Sequence, residues 1–489
     1  MGNNITIVFT VIYFFTILVI GFVASKKTAT MRDFMVAGQS LGVWVTSLGI
    51  MAAVQSGWTW LGNPGACYSA GYAGGVKMQA FAALGLILSF YVLAKPVRII
   101  GERFACYTFP DILAARWDGN HTVRLLSSLV VLLGSFTYLV SQWASMGTAL
   151  EAALGIRYKP AVIIGAIVVV AYVVAGGMLA SMWTNFIQMI IMFFVSILLV
   201  SRSVNLAGGF EVMNIAVAEI SPSYVAPWTE NVSYCFLTFI TYSLLVVGLG
   251  YGGQPSIVTK FLMIKSTNKF RWAPLICVLA QIVGCSTYIV GIAGLVLVDK
   301  GLVPAPARPD LILMNMISSI FPPTLCALIL VAVFAAIMST AESFLFNSAG
   351  TIVRDFGRLI FKQSFNDKQT LKLTRLVIMV VAIITIILAL EPPAMIATIG
   401  SQAFGTFCAG FGPLMYLGLR WKRVNSKAAI AGLFAGLVIG GIIPIIDMVF
   451  MGSTLFPGVT IAGIGVVVSA IVIIIVSLTT EPEHSEVFD

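Results

Sequence analysis

Apolar runs long enough to cross a bilayer alternate with short polar loops along almost the whole chain. A helix needs about 20 apolar residues to span the hydrocarbon core. Thirteen segments answer to that pattern: 4–24, 42–72, 76–100, 123–150, 159–177, 183–201, 232–258, 273–298, 318–352, 373–391, 395–419, 428–447 and 458–479. The expected architecture is an all-α polytopic membrane protein forming one transport domain. No basic stretch precedes the first run, so 4–24 is expected to remain as a span and not to be cleaved as a signal peptide. Residues 480–489 are expected to form a short polar tail, with no long soluble domain at either end.

Charge placement gives the runs a direction. Lys and Arg collect in alternate loops, and such loops face the cytoplasm. With the N-terminus outside, the inner loops hold Lys26, Lys27 and Arg32, then Lys95, Arg98, Arg103, Arg116 and Arg124, then Lys260, Lys265, Lys269 and Arg271. Arg354, Arg358, Lys362, Lys368, Lys372 and Arg375 follow, and finally Arg420, Lys422, Arg423 and Lys427. Of the 28 basic residues only Lys77, Arg157, Lys159, Arg202, Lys300 and Arg308 fall on the other side. The chain is thus expected in the cell (inner) membrane with its C-terminus in the cytoplasm.

Composition agrees. Hydrophobic residues make up 59% and charged residues 10%, with a mean hydropathy of +1.01, where soluble proteins carry about 25% charged residues. Lipid must be the solvent for most of the surface. The net charge of +9 is dispersed over loops and does not mark a nucleic-acid surface. The seven cysteines contain no CxxC pair and read as small buried hydrophobes. An enzyme is disfavoured, because His121 and His484 are the only histidines and Glu342 is the one clearly intramembrane carboxylate.

Two runs are interrupted. The second contains Gln55-Ser56-Gly57 and then Gly62-Asn63-Pro64-Gly65; the seventh contains Gly248 to Gln254-Pro255. Gly and Pro disfavour continuous helix, and unwound backbone at membrane depth survives only where it lines protein or a wet cavity. Interruptions at matching places in two halves point to inverted repeats with a binding site between them, here residues 42–201 and 232–419, with 428–479 as two trailing helices. In the ninth run Ala336, Ser339, Thr340 and Ser343 recur at helical spacing and form one stripe. Their hydroxyls suit a hard cation such as Na⁺, or they bond back to their own helix.

The string from Ala335 to Thr340 followed by Glu342-Ser343, together with Ser56-Gly57-Trp58, Trp183-Thr184-Asn185, Gly253-Gln254-Pro255 and Phe411-Gly412-Pro413, resembles the sodium/solute symporter family, nearest its bacterial sodium/proline branch. The resemblance follows the whole chain in order. It implies the leucine-transporter fold with five-plus-five inverted repeats and alternating access, and Na⁺-coupled symport of a small organic solute, an amino acid or carboxylate-like. It places Na⁺, as coupling ion, on the carbonyls of Ala52, Gln55 and Ala336 and the hydroxyls of Ser339 and Thr340. It places the solute among Gln55, Trp58, Tyr138, Gln142, Tyr251, Gln254, Pro255, Gln402 and Phe404. No organic cofactor and no obligatory protein partner are implied.

Three positions depart from the branch. Val54 stands where proline symporters carry an aspartate, Val247 where they carry a tryptophan, and Asn185 where many relatives carry an aspartate linked to a second sodium ion. The valines argue against proline as the preferred solute. Asn185, with Glu342 and Ser343, forms a set of coupling candidates. Glu342 is expected to hold a displaced cation, to carry a proton, or to face a wet vestibule. A proton-coupled or uncoupled facilitator of the same fold, or a transporter-like sensor, are the alternatives.

Overall fold

The computed structural model describes residues 4–25, 30–357, 366–451 and 460–483. The expected basic positions Lys26, Lys27, Arg358 and Lys362 and the tail from His484 onward lie outside the described residues, as do the first two positions of the segment 458–479. Among the described residues the fold is helical without strands, apart from one isolated bridge between Leu41 and Ile264. Nine of the described helices are long and apolar enough to cross a membrane.

The helix Tyr158–Ala207 has 50 residues. At about 1.5 Å per residue that length is roughly twice the bilayer core, so it must turn back. It does so at Gly177, whose φ of 67° leaves the right-handed region. This separates the expected segments 159–177 and 183–201.

Both interrupted runs are broken, each at a glutamine. Val43–Val54 stops at Gln55, which is extended at φ −72°, ψ 104°, and the chain resumes in a widened turn over Trp58–Gly62 and the helix Asn63–Ala70. In the second, a widened stretch Phe239–Val247 leads through Gly248–Gly250 and Tyr251–Gly253 to Gln254 at φ −76°, ψ 114°, after which Pro255–Phe261 is helical. The glycine clusters are not themselves the breaks. Gly62 to Gly65 stays helical, with Pro64 just after the widened turn Trp58–Gly62. A Cβ on Gly62 would lie 3.0 Å from the Ala397 nitrogen, and one on Gly253 2.7 Å from the Phe407 carbonyl oxygen. These glycines let the helix Ile396–Gly418 lie against both broken segments.

Pro323–Gly350 is the central element. Every residue from Ile329 to Gly350 is buried, as expected for a helix apolar on all sides, whereas Asp367–Ala389 exposes Ile383 and Ile387 to the outside. That position puts the polar stripe of the ninth run in the middle of the protein.

Short helices complete the loops. Thr30 caps Met31–Val36 with a reciprocal bond to Asp33, and Thr108 caps Phe109–Arg116. This second helix clamps three others. Asp111 accepts from Arg124 at 2.6 Å and from Arg354 at 2.5 Å; Arg124 also reaches Asp355, and Asp355 accepts from Thr108 at 2.8 Å. At its far end the buried Arg116 donates to the carbonyls of Gly418 at 2.8 Å and Val424 at 3.1 Å. Removing one partner of a buried ion pair strands the other, typically at about 3–5 kcal/mol. Arg124→Met is therefore expected to lower stability by about that amount, read as a drop in melting temperature of the detergent-purified protein; an unchanged value would show that the clamp carries no net stability.

Candidate functional site

A helix that stops inside a membrane protein leaves its last carbonyls without intrahelical donors, and no water is at hand to take them. At the end of Val43–Val54 each of them has a partner. The Ser339 hydroxyl donates to the Ala52 oxygen at 2.7 Å and the Thr340 hydroxyl to the Ala53 oxygen at 3.0 Å and the Gln55 oxygen at 3.3 Å. The Thr59 hydroxyl reaches the Val54 oxygen at 3.4 Å. Ser339 also approaches the Ala336 carbonyl of its own helix at 3.1 Å. The oxygens of Ala52, Gln55, Ala336, Ser339 and Thr340 thus form one cluster, on residues that are all fully buried.

For a hard cation with oxygen ligands at roughly 2.4 Å, neighbouring ligands in an octahedral shell lie roughly 3.4 Å apart. The spacings of 2.7, 3.1 and 3.3 Å are close enough that a cation could enter by modest expansion, with each hydroxyl turning its proton away. The donor set is two hydroxyls and three carbonyls, neutral and hard, which suits a monovalent ion.

Beside the stripe the Glu342 carboxylate is fully buried and not in a solvated vestibule. It accepts from Tyr172 at 2.6 Å and from Ser181. Asn185 donates to Ser181 at 3.4 Å, and its carbonyl oxygen has no partner among the described residues. Ser343 donates to the Ser339 carbonyl at 2.9 Å and accepts from Lys260 at 3.1 Å. Lys260 is a correction to the loop assignment: it lies on Pro255–Phe261, fully buried. A lone lysine among Ile257, Val258, Phe261 and Leu262 was the available signal, since a charge inside an apolar run is a functional candidate by default.

Between the two breaks lies a cavity with only about 20 Å³ of room, enough for about one water. Trp58, Tyr138, Tyr251, Gln254 and Phe404 line it, as do Val54 and Val247. Its aromatic walls interlock: Trp58 and Phe404 meet edge to face at 5.9 Å, Tyr251 and Phe404 at 5.3 Å, and Tyr138 stacks on Phe344 at 4.4 Å.

Four expected residues stand elsewhere. The Gln142 side chain accepts from the Gly57 N–H at 2.9 Å and so braces the first break. Gln402 donates to the Gly440 carbonyl at 3.2 Å, toward a trailing helix. Pro255 opens its helix outside the cavity wall, and the Gln55 side chain reaches Gln281 at 3.3 Å behind it. Sequence reading missed Gln79, Gln281, Thr59, Ser256 and Phe344, which join the wall. Gln281 donates to Tyr251 at 3.1 Å; a single amide in the apolar stretch Ala273–Cys285 was its only trace. Two N–H groups on wall residues, Trp58 Nε1 and Gln254 Nε2, are buried without partners among the described residues, as is Gln55 Oε1.

The family model described as "Sodium:solute symporter family" matches residues 34–436. The chain belongs to the sodium:solute symporter family. It is 34% identical to the high-affinity proline transporter PutP of Bacillus subtilis over 434 residues, covering 86% of this chain and 88% of that one. Over 432 residues it is 30% identical to the osmoregulated proline transporter OpuE of the same organism, covering 87% and 86%. The solved structure of a Na⁺-coupled sialic acid symporter, in a substrate-bound outward-open state, shares the fold with a TM-score of 0.83 at 20% identity, over 99% of both chains. As a member of this family the chain is a multi-pass cell-membrane symporter that moves a small solute, and not an enzyme.

At the end of the site away from Lys260, Asp310 accepts from the Ile396 N–H at 3.3 Å and packs against Gly65. Burial lifts its carboxyl to about 6, against the pull of the Ile396 N–H and of Arg308. A carboxyl whose folded value exceeds the ordinary 3.8 holds its proton more tightly when folded, so stability is lost as pH rises from about 4 through about 6. Asp310→Asn has no such proton. Between pH 4.5 and 7.5 the melting temperature of the wild type should fall relative to this variant, and parallel profiles would exclude the effect.

Proposed function

We propose that the chain is a Na⁺-coupled importer of a small amino acid, working by alternating access with thirteen membrane helices in a five-plus-five inverted repeat, N-terminus outside. Na⁺ sits on the oxygens of Ala52, Gln55, Ala336, Ser339 and Thr340. The observation that carries this reading is the meeting of the Gln55 break with the Ser339 and Thr340 hydroxyls, which gathers hard oxygens from two helices at one buried point. The solute binds in the adjoining cavity after its walls part. Trp58 Nε1 and Gln254 Nε2 supply unspent donors for a carboxylate, and the faces of Tyr138, Tyr251 and Phe404 attract an ammonium group.

Ser339 and Thr340 contribute the only side-chain oxygens of the ion site. Losing one ligand of five amounts to about 1–3 kcal/mol, roughly ten- to hundredfold in affinity. In proteoliposomes with an imposed Na⁺ gradient, Thr340→Ala should raise the Na⁺ needed for half-maximal uptake by that factor, while Thr340→Ser should keep it near wild type. If Ser339→Ala and Thr340→Ala both keep normal Na⁺ dependence, the ion does not bind here. Uptake without any Na⁺ dependence would favour the facilitator.

The proline transporters among the relatives weigh toward proline, and the valines at 54 and 247, both in the cavity wall, weigh toward a different side chain. A small amino acid satisfies both. Labelled proline should be taken up in a Na⁺-dependent manner, and a panel of unlabelled amino acids should contain at least one that competes as well as proline. No Na⁺-driven proline uptake and no amino-acid competitor would move the solute to another class.

A further inference from the structure

Lys260 and Glu342 are opposite charges buried beside the ion cluster, and neither has been given a task by the reading above. The Lys260 ammonium donates to the Gly49 carbonyl at 3.1 Å and to the Ser343 hydroxyl at 3.1 Å. Ser343 passes that contact on to the Ser339 carbonyl at 2.9 Å, and Ser339 holds Ala52 at 2.7 Å. The ammonium is thus two hydrogen bonds from the cluster, on its Gly49 side. It also bridges three elements: the helix after the second break, the helix before the first, and the central Pro323–Gly350.

Burial of an isolated ammonium is prohibitive unless an opposite charge lies close. Glu342, next in the chain to the Ser343 that Lys260 touches and likewise fully buried, is that charge. Of the other buried charges among the described residues, Arg116, Arg124, Asp111 and Asp355 belong to the clamp on Phe109–Arg116, Arg98 pairs with Glu102, Asp310 meets the Ile396 N–H, and Asp447 opens Asp447–Met451. The carboxylate is also set in a nest of oxygens that could otherwise serve a free cation: the hydroxyls of Tyr172 and Ser181 and the unpartnered Asn185 carbonyl.

We propose that the Lys260 ammonium is a resident, tethered cation that neutralises Glu342, so that the carboxylate nest takes no second Na⁺ and the transporter binds a single Na⁺ per chain. Lys260 is a positioning residue: it touches the ion site only through Ser343 and Gly49. Because it rides on Pro255–Phe261, any separation of that helix from Pro323–Gly350 also pulls the ammonium from Ser343. This inference rests on the sodium reading above and concerns how many ions that reading involves.

Equilibrium binding of radiolabelled Na⁺ to the purified full-length chain tests it without knowledge of the solute. Wild type and Lys260→Arg should each bind one Na⁺ per chain. Lys260→Met leaves Glu342 bare and should bind two. Glu342→Gln leaves the ammonium uncompensated near the cluster and should weaken Na⁺ binding by tenfold or more, and the double variant Lys260→Met/Glu342→Gln should return to one site of near wild-type affinity. The double variant carries no unpaired charge, so it keeps the test open should Lys260→Met fail to fold. Two ions on the wild type overturn the proposal. So does a Glu342→Gln affinity equal to that of both the wild type and the double variant. A wild type with no saturable Na⁺ binding would instead remove the sodium reading beneath it.

Discussion

The structure depends on a single constraint: a helix broken inside a membrane must have its freed carbonyls satisfied by protein or by an ion. At Gln55 the break exposes four carbonyls, and hydroxyls answer all of them: Ser339 and Thr340 of the central helix take three, and Thr59 takes one. The bonds from Ser339 and Thr340 tie the two helices together. They are also of the kind a small cation can replace, since a hydroxyl that donates to a carbonyl can turn and present its oxygen beside it. One set of atoms can therefore hold the protein closed and hold an ion.

Several other features follow from bringing that break and the central helix together. Pro323–Gly350 must be enclosed on all sides to deliver Ser339 and Thr340 at depth, and it is. The Ile396–Gly418 helix must approach both broken segments closely, which is why Gly62, Gly250 and Gly253 carry no side chain: a Cβ on Gly250 would lie 2.2 Å from the Phe404 ring. Phe404 in turn closes on Trp58 and Tyr251. The contact that packs the helices is also a wall of the cavity, so a solute can be admitted only by moving a helix. With about 20 Å³ of free space, the cavity as it stands is too small for an amino acid.

Charge is handled sparingly. The clamp on Phe109–Arg116 gathers Asp111, Arg124, Arg354 and Asp355 at the loop end of the bundle, where they hold helices in place. Among the described residues, the charges beside the ion cluster are Lys260 and Glu342, which are of opposite sign. The cluster thus sees carbonyl and hydroxyl dipoles and little net charge, a condition under which a monovalent cation can bind and still leave.

The amino-acid sequence by itself determined that the chain is helical and membrane-embedded, and where its two breaks fall, because lipid leaves no alternative to apolar runs and because Gln-Ser-Gly and Gly-Gln-Pro cannot continue a helix unaided. The Ser339–Thr340 stripe was legible for the same reason: spacing along one helix decides which residues share a face. Spacing does not decide what that face meets. Gln142 and Gln402 have the chemistry of solute ligands, yet one braces a broken turn and the other bonds a trailing helix. Gln281 entered the wall from a helix with no marker beyond its own amide. Lys260, counted among loop cations, is buried because the short helix after Pro255 turns inward to Gly49 and Ser343. Only tertiary structure settled these, since burial and partnership are properties of two segments far apart in the chain, and a one-dimensional pattern records each segment alone.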